Sequence, residues 1–245
     1  MNGPLVLCYH AVNPTWEAAL SVRPEELERQ VRHLVDRGWQ ALTLSDALAH
    51  PRTGTFALTF DDAFASVLGL ARPLLDDLGV PATVFVPTAW PGREDPMTWP
   101  GIDGWLGGPY EGELRCLAWD ELGALADSGW EVGAHTVTHP RLTTLGDAEL
   151  AEELASSKAA CERALSRPCP TLAYPYGDVD DRVAEAAAAA GYAHAVTLDV
   201  HRPLSQRWPR VGLYNRDSGV RTRLKLSPAV YRMREAVGSA RGLAA

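Results

Sequence analysis

Along this chain, short apolar runs alternate with longer stretches in which apolar residues recur every three or four positions. Residues 5–9, 39–44, 56–60, 82–86, 130–134, 171–174, 194–198 and 210–213 are short, mostly apolar runs and read as strands. Residues 24–37 place Leu27, Val31, Leu34 and Val35 on one face, begin at Pro24 and stop at Gly38, which predicts a helix. Ser45-Asp46 predicts the cap of a short helix. Residues 63–78 predict a helix closed by Gly79, 119–128 another, and 147–165 an amphipathic helix with Leu150, Leu154 and Cys161 on one face. An alanine-rich helix capped by Asp180 or Asp181 runs to Ala190 and ends at Gly191. Strands and helices that alternate in this way predict a mainly parallel sheet with helices outside it. Residues 87–116 break the rhythm with several Gly and Pro and with Trp90, Trp99, Trp105 and Tyr110. A loop of that length in a compact domain is more often functional than not. No internal repeat is visible.

Composition narrows the picture. The 245 residues suffice for one α/β-barrel-sized domain, and 1–245 reads as that one domain with 220–245 as a basic tail. An apolar content of 46% fits a globular chain, and the net charge of −8 excludes a general nucleic-acid binder. No run of about 18 apolar residues occurs, so no membrane span is expected. The tail carries Arg221, Arg223, Lys225, Arg232, Arg234 and Arg241. It reads as a solvated helix, with contact to an anionic membrane surface as the alternative. No basic-then-apolar leader precedes the first strand, which predicts a cytoplasmic protein unless a leader has been removed. Cys8, Cys116, Cys161 and Cys169 show no paired ligand spacing and read as free thiols in a reducing compartment. Cys161 and Cys169 could approach each other across a helix end.

Two strand ends carry the candidate chemistry. The run 56–60 leads into Asp61-Asp62, and the run 130–134 leads into His135-Thr-Val-Thr-His139-Pro140. An acidic pair after a strand is often just a cap or a turn, as Asp76-Asp77 shows elsewhere in this chain. One Asp with two His, however, forms a set that can hold a divalent metal with positions left open, and the other Asp remains available as a base. That is the minimum equipment for metal-assisted hydrolysis. His10, Asp61, Asp62, His135 and Tyr176 all fall at or just past C-terminal strand ends, the catalytic face of an α/β barrel.

Thr59-Phe-Asp-Asp62, His135-Thr-Val-Thr-His139-Pro140 and Ala173-Tyr-Pro-Tyr-Gly177, in this order, resemble the polysaccharide deacetylase family, also called chitooligosaccharide deacetylase-like or carbohydrate esterase family four. The resemblance runs from about residue 4 to about 215. It implies a distorted, incompletely closed (β/α)7 barrel. It also implies Asp62, His135 and His139 as metal ligands, Asp61 as the base, and the Tyr176 backbone N–H as an oxyanion donor. The implied metal is zinc, with cobalt or manganese as alternatives. The implied reaction is hydrolysis of an N-acetyl amide on an amino sugar in an oligosaccharide, polysaccharide or lipid-linked precursor.

Two departures from the family pattern stand out. Ala173 occupies the place where many members have an arginine that orients the base; Arg210, in the last strand, is the candidate substitute. The late Leu-x-His segment that usually supplies the general acid is missing, and His10 at the end of the first strand is the best replacement, with His201 as the alternative. Trp99 and Trp119 are candidates for stacking on sugar rings. The competing readings are a small-molecule amidase or deformylase on the same fold, and a catalytically inactive sugar-binding homologue.

Overall fold

The structure is a computed structural model that describes residues 3–198 and 204–227. The elements in chain order are β1 (Leu5–Tyr9), β2 (Ala11–Val12), β3 (Ser21–Val22), α1 (Pro24–Val35), β4 (Gln40–Leu42) and α2 (Leu44–Ala49). Then come β5 (Thr55–Phe60), α3 (Arg72–Asp77), β6 (Ala82–Val86), α4 (Trp119–Asp127), β7 (Glu131–Ala134) and α5 (Asp147–Leu165). The last are β8 (Thr171–Ala173), α6 (Asp181–Ala189), β9 (His194–Thr197), β10 (Trp208–Pro209), β11 (Val211–Gly212) and α7 (Gly219–Lys225).

All ladders between these strands are parallel, in the order β10-β9-β8-β7-β6-β5-β1-β11. Residues 208–212 pass between both ends of that order. Trp208 and Pro209 pair with β9, then Val211 and Gly212 pair with β1, with Arg210 at the hand-over. The sheet thus nearly closes into a barrel with one weakly paired seam, and helices surround it, as expected. The strand β4 distorts the barrel further: it pairs with the first half of β5, while β6 pairs with the second half of the same edge. Every residue of β1, β5 and β6 is buried, which is why these strands read as continuous apolar runs rather than alternating ones. Gly133 in β7 has no room for a side chain, since a Cβ there would come within 2.5 Å of the Phe85 ring.

Several local expectations need correction. The cap of α2 is Thr43, whose side chain accepts from Asp46 N; the helix starts one residue before Ser45, at the buried Leu44. Residues 63–78 are not one helix. Asp62 and Ala63 adopt positive φ, and the helix opens with a π-helical stretch, Val67–Ala71, before α3. Pro73 explains the wide turn, because it has no N–H to donate and its ring crowds the carbonyl four residues back. The parallel pair β2–β3 carries no clear sequence signal, whereas the helix expected in the basic tail is present at its start as α7.

The tail is only partly a surface feature. Lys225 donates to Gly212 O (2.9 Å) and to Asp217 Oδ2 (2.5 Å), tying α7 to the seam. Arg232, Arg234 and Arg241, like His201, lie outside the described residues. No helix among the described residues is long and apolar enough to cross a membrane. The four cysteines are buried and free. The long loop holds two short 3-10 turns, Asp103–Trp105 and Glu111–Leu114, and is pinned by aromatic contacts. Trp105 and Tyr110 pack on the buried Trp16 at ring separations of 5.5 and 6.4 Å.

Candidate active site

The C-terminal ends of the strands converge on a cavity of about 330 Å³ that includes His10, Asp61, Asp62, Trp99, His135, His139, Arg141 and Tyr176 in its wall. Strand β5 delivers the aspartates, β7 delivers His135, β1 delivers His10 and β8 leads into Tyr176. The backbone bends sharply where it does so. Asp62 (φ 68°), Thr136 (65°), His139 (65°) and Tyr176 (60°) all lie in the left-handed region, which costs free energy in residues with a Cβ. Gly177 follows at φ 71°, and any side chain on it would strike the Leu198 backbone. Such strain concentrated in one cavity wall is typical of a functional site.

Asp62, His135 and His139 face one another. Their ligand-type atoms lie within 4.8 Å of each other. Asp62 Oδ1 is 3.3 Å from His135 Nε2 and 3.4 Å from His139 Nε2, yet it is buried with no hydrogen-bond partner. The Nδ1 of His135 is 2.7 Å from Ala173 O. A carbonyl can only accept, so Nδ1 carries a proton, which leaves Nε2, on the side of Asp62, as the atom that could ligate a metal. The residue that replaces the expected arginine therefore orients a histidine through its backbone. His139 is set by aromatic walls: Trp99 stacks on it at 4.2 Å and Tyr176 meets it edge-on at 4.7 Å. Burial, opposed by Asp62, brings the His139 imidazole down to about 3, so it is neutral at pH 7. An orphaned buried carboxylate oxygen facing two imidazole Nε2 atoms is a donor set that fits a divalent cation.

Asp61 is held differently. Arg210 grips it from across the seam, Nη1 donating to Oδ1 at 2.6 Å and Nη2 to Oδ2 at 2.7 Å, with Nη1 also donating to Thr59 Oγ1. Cys8 Sγ donates to Oδ2 at 3.4 Å, and His10 Nε2 stands 4.0 Å from that oxygen. Burial alone would raise the Asp61 carboxyl, but the Arg210 guanidinium outweighs it and holds the group well below the usual carboxylate range. Cys8, His10 and Asp61 also lie within 4.8 Å of one another. A cation there would meet the guanidinium already bound to both Asp61 oxygens, so the Asp62 set is the better metal site.

The structure does not bring every candidate to the cavity. Trp119 starts α4, packs against the core and is absent from the cavity wall, because its helix runs outside the barrel. Trp99 does line the cavity, but it is only 7% exposed and stacks on His139, so it works as a wall rather than an open platform. Other residues gain roles that sequence reasoning missed. Glu153 on α5 accepts from Val137 N, Thr138 N and Thr138 Oγ1, which fixes the loop between the two histidines. Arg141 lies over the Tyr176 ring at 4.4 Å. No local pattern marks these contacts, which span 15 to 35 residues of chain.

The model of the polysaccharide deacetylase family matches residues 49–195, more than half of the chain. The chain is 24% identical over 233 residues to YxkH of Bacillus subtilis (strain 168), itself named for the same family; the match covers 92% of this chain and 72% of that one. It is also 24% identical over 193 residues to a poly-beta-1,6-N-acetyl-D-glucosamine N-deacetylase of Staphylococcus aureus, covering 73% of this chain and 61% of the relative. Its fold is similar to that of the Streptococcus pyogenes deacetylase PplD, solved in complex with acetate. That likeness has a TM-score of 0.75 at 22% identity and covers 92% of this chain and 99% of the other.

Proposed function

The chain belongs to the polysaccharide deacetylase family, and from that premise we propose that it hydrolyses the N-acetyl amide of an amino sugar in a glycan, releasing acetate and a free amine. The observation that carries this reading is the pairing of two differently prepared carboxylates in one cavity. Asp62 faces two imidazoles with an unpartnered oxygen, and Asp61 beside it is clamped by Arg210. The family model spans Asp61 through Tyr176 but neither His10 nor Arg210, so the roles proposed for those two rest on geometry alone.

Asp62, His135 and His139 would hold the metal. A divalent ion there, zinc by preference and cobalt or manganese as alternatives, would supply Lewis acidity, lowering the pKa of the attacking water and polarising the acyl oxygen. Asp61 accepts the proton from that water. Arg210 keeps Asp61 ionised and aimed, because a bidentate guanidinium fixes the carboxylate plane. As the C–N bond breaks, the departing nitrogen needs a proton, and His10, which borders the same cavity 4.0 Å from Asp61, would give it. The Tyr176 N–H would donate to the developing oxyanion. The oxygen of water ends on the acetyl carbon, one of its protons goes to Asp61 and the other leaves with the acid formed, while the amine takes its proton from His10, which solvent then reprotonates as Asp61 gives its proton up.

The S. aureus relative is named for poly-beta-1,6-N-acetyl-D-glucosamine, which makes oligomers of N-acetylglucosamine the first substrates to try. Metal-reconstituted protein should release acetate from them, and chelation should abolish the release. Acetate from small N-acyl amides but not from any sugar would move the reading to a small-molecule amidase. Sugar binding without turnover in the metal-loaded protein would make it an inactive homologue.

A further inference from the structure

The four cysteines are free in this structure, yet they are of two kinds. Cys8 and Cys116 turn their thiols toward the candidate site, to Asp61 Oδ2 at 3.4 Å and to Asp62 O at 3.9 Å. Cys161 and Cys169 turn to each other, and their side chains are in hydrogen-bond contact. Both lie in the core, 0% and 1% exposed.

Local structure builds this contact. Cys161 lies one turn before the end of α5. Ser166 caps the helix in the left-handed region at φ 52°, which reverses the chain. Arg167 anchors the return to α4, with Nη1 donating to Ala126 O at 2.7 Å. Pro168 and Pro170 restrict the backbone on both sides of Cys169. Cys169 N donates to Glu162 Oε1 at 3.3 Å, which lays Cys169 beside the residue that follows Cys161. The reversal is thus fixed from two sides and holds the sulfurs together before any bond forms. That is the condition for a disulfide that needs little backbone movement.

We propose that Cys161 and Cys169 form a disulfide when the chain folds in the presence of a small-molecule disulfide such as oxidised glutathione, and that this bond staples α5 to the entry of β8. One cysteine, as its thiolate, attacks a sulfur of the oxidant and expels one glutathione thiolate, giving a mixed disulfide. The other then attacks the protein sulfur of that intermediate and expels the second glutathione. Two protein thiols lose two electrons and two protons, and one glutathione disulfide becomes two thiols. The contact with Cys169 and then burial raise the Cys161 thiol well above its usual range, so the folded pair reacts slowly and the bond closes during folding. The stapled elements support both histidines of the site: Glu153 of α5 holds the loop between them, and Ala173 O at the end of β8 orients His135.

This inference stands apart from the deacetylase reading, and its test needs no turnover. The full chain is unfolded in urea and refolded with oxidised glutathione or with excess reduced glutathione. Free thiols are then blocked with iodoacetamide and the masses of the tryptic peptides measured. After oxidised refolding, peptides 159–163 and 164–182 should be joined, with Cys8 and Cys116 alkylated. The joined form should melt about 5 °C above the reduced one. Cys169→Ser should melt alike after both treatments, and Cys161→Ser serves as the same control if that variant does not fold. Four alkylated cysteines after oxidised refolding would overturn the proposal, as would a disulfide between any other pair or glutathione left on either cysteine. Equal melting temperatures for the joined and reduced native chain would overturn the staple.

Discussion

Two carboxylates sit at opposite ends of this barrel and are treated in opposite ways. At the C-terminal end, Asp61 is buried against a guanidinium that contacts both its oxygens. At the N-terminal end, Glu131 opens β7 and borders a cavity of about 310 Å³. Among the described residues it pairs with no cation: Thr171 Oγ1 donates to one oxygen at 2.7 Å, and Ser45 N and Thr83 Oγ1 donate to the other at 2.9 and 3.1 Å. Burial raises the Glu131 carboxyl, and its three neutral donors recover only part of the cost. Asp61 therefore stays charged throughout the working range, whereas Glu131 is a polar tie between β6, β7, β8 and the start of α2. Barrels of this kind keep chemistry at the C-terminal face and stability at the other. Here the same functional group serves both ends, and the partner decides which.

The largest expected effect comes from breaking the upper pair. Arg210→Met leaves a buried charge without its counter-ion, and stability should fall by about 3–5 kcal/mol along with most turnover. Adding Asp61→Asn should restore much of the stability and none of the activity. Urea unfolding at pH 7 of both variants checks this, and a loss below ~1 kcal/mol in the single variant would contradict it.

Next in size is His10. If it protonates the leaving amine, His10→Ala should cut kcat by roughly 10²–10⁴ and flatten the basic limb of the pH profile, with metal content unchanged. A normal kcat with an intact basic limb would remove His10 from the mechanism.

The smallest effect lies at the lower end. Glu131→Gln keeps the shape and sheds the charge, so its stability at pH 7 should stay within ~1 kcal/mol of the native protein. The pH trends sharpen the contrast. The Asp61 carboxyl is lowered from 3.8, so its contribution is full above 3.8 and lost as pH falls through the folded value. The Glu131 carboxyl is raised from 4.5, so its contribution is full below 4.5 and lost as pH rises through the folded value. Glu131→Gln should remove only the second trend. If it instead steepens acid unfolding, Glu131 is not the group described here.

The sequence was informative wherever function lies next to a strand end. Asp61, Asp62, His135 and His139 are close in sequence to apolar runs whose depth in the barrel follows from composition. Their convergence was therefore legible. His10 and Arg210 were reachable only by position, one at each edge of the seam. Glu153 and Cys8 were not reachable, since each acts by a contact between segments far apart in the chain and neither belongs to a spacing pattern. Trp99 and Trp119 are alike in composition, and only the path of the chain puts one on His139 and the other on the outside of the barrel. The stretch after Asp62 read as plain helix because the effect of Pro73 on the turn before it depends on how the first residues leave the site.

The most direct measurement compares Asp61→Asn with Asp62→Asn by elemental analysis and acetate release, after reconstitution with zinc. The account predicts that Asp61→Asn keeps about one metal ion per chain and loses nearly all turnover, while Asp62→Asn loses the metal. Metal retained by Asp62→Asn and lost by Asp61→Asn, or native acetate release from Asp61→Asn, would contradict it.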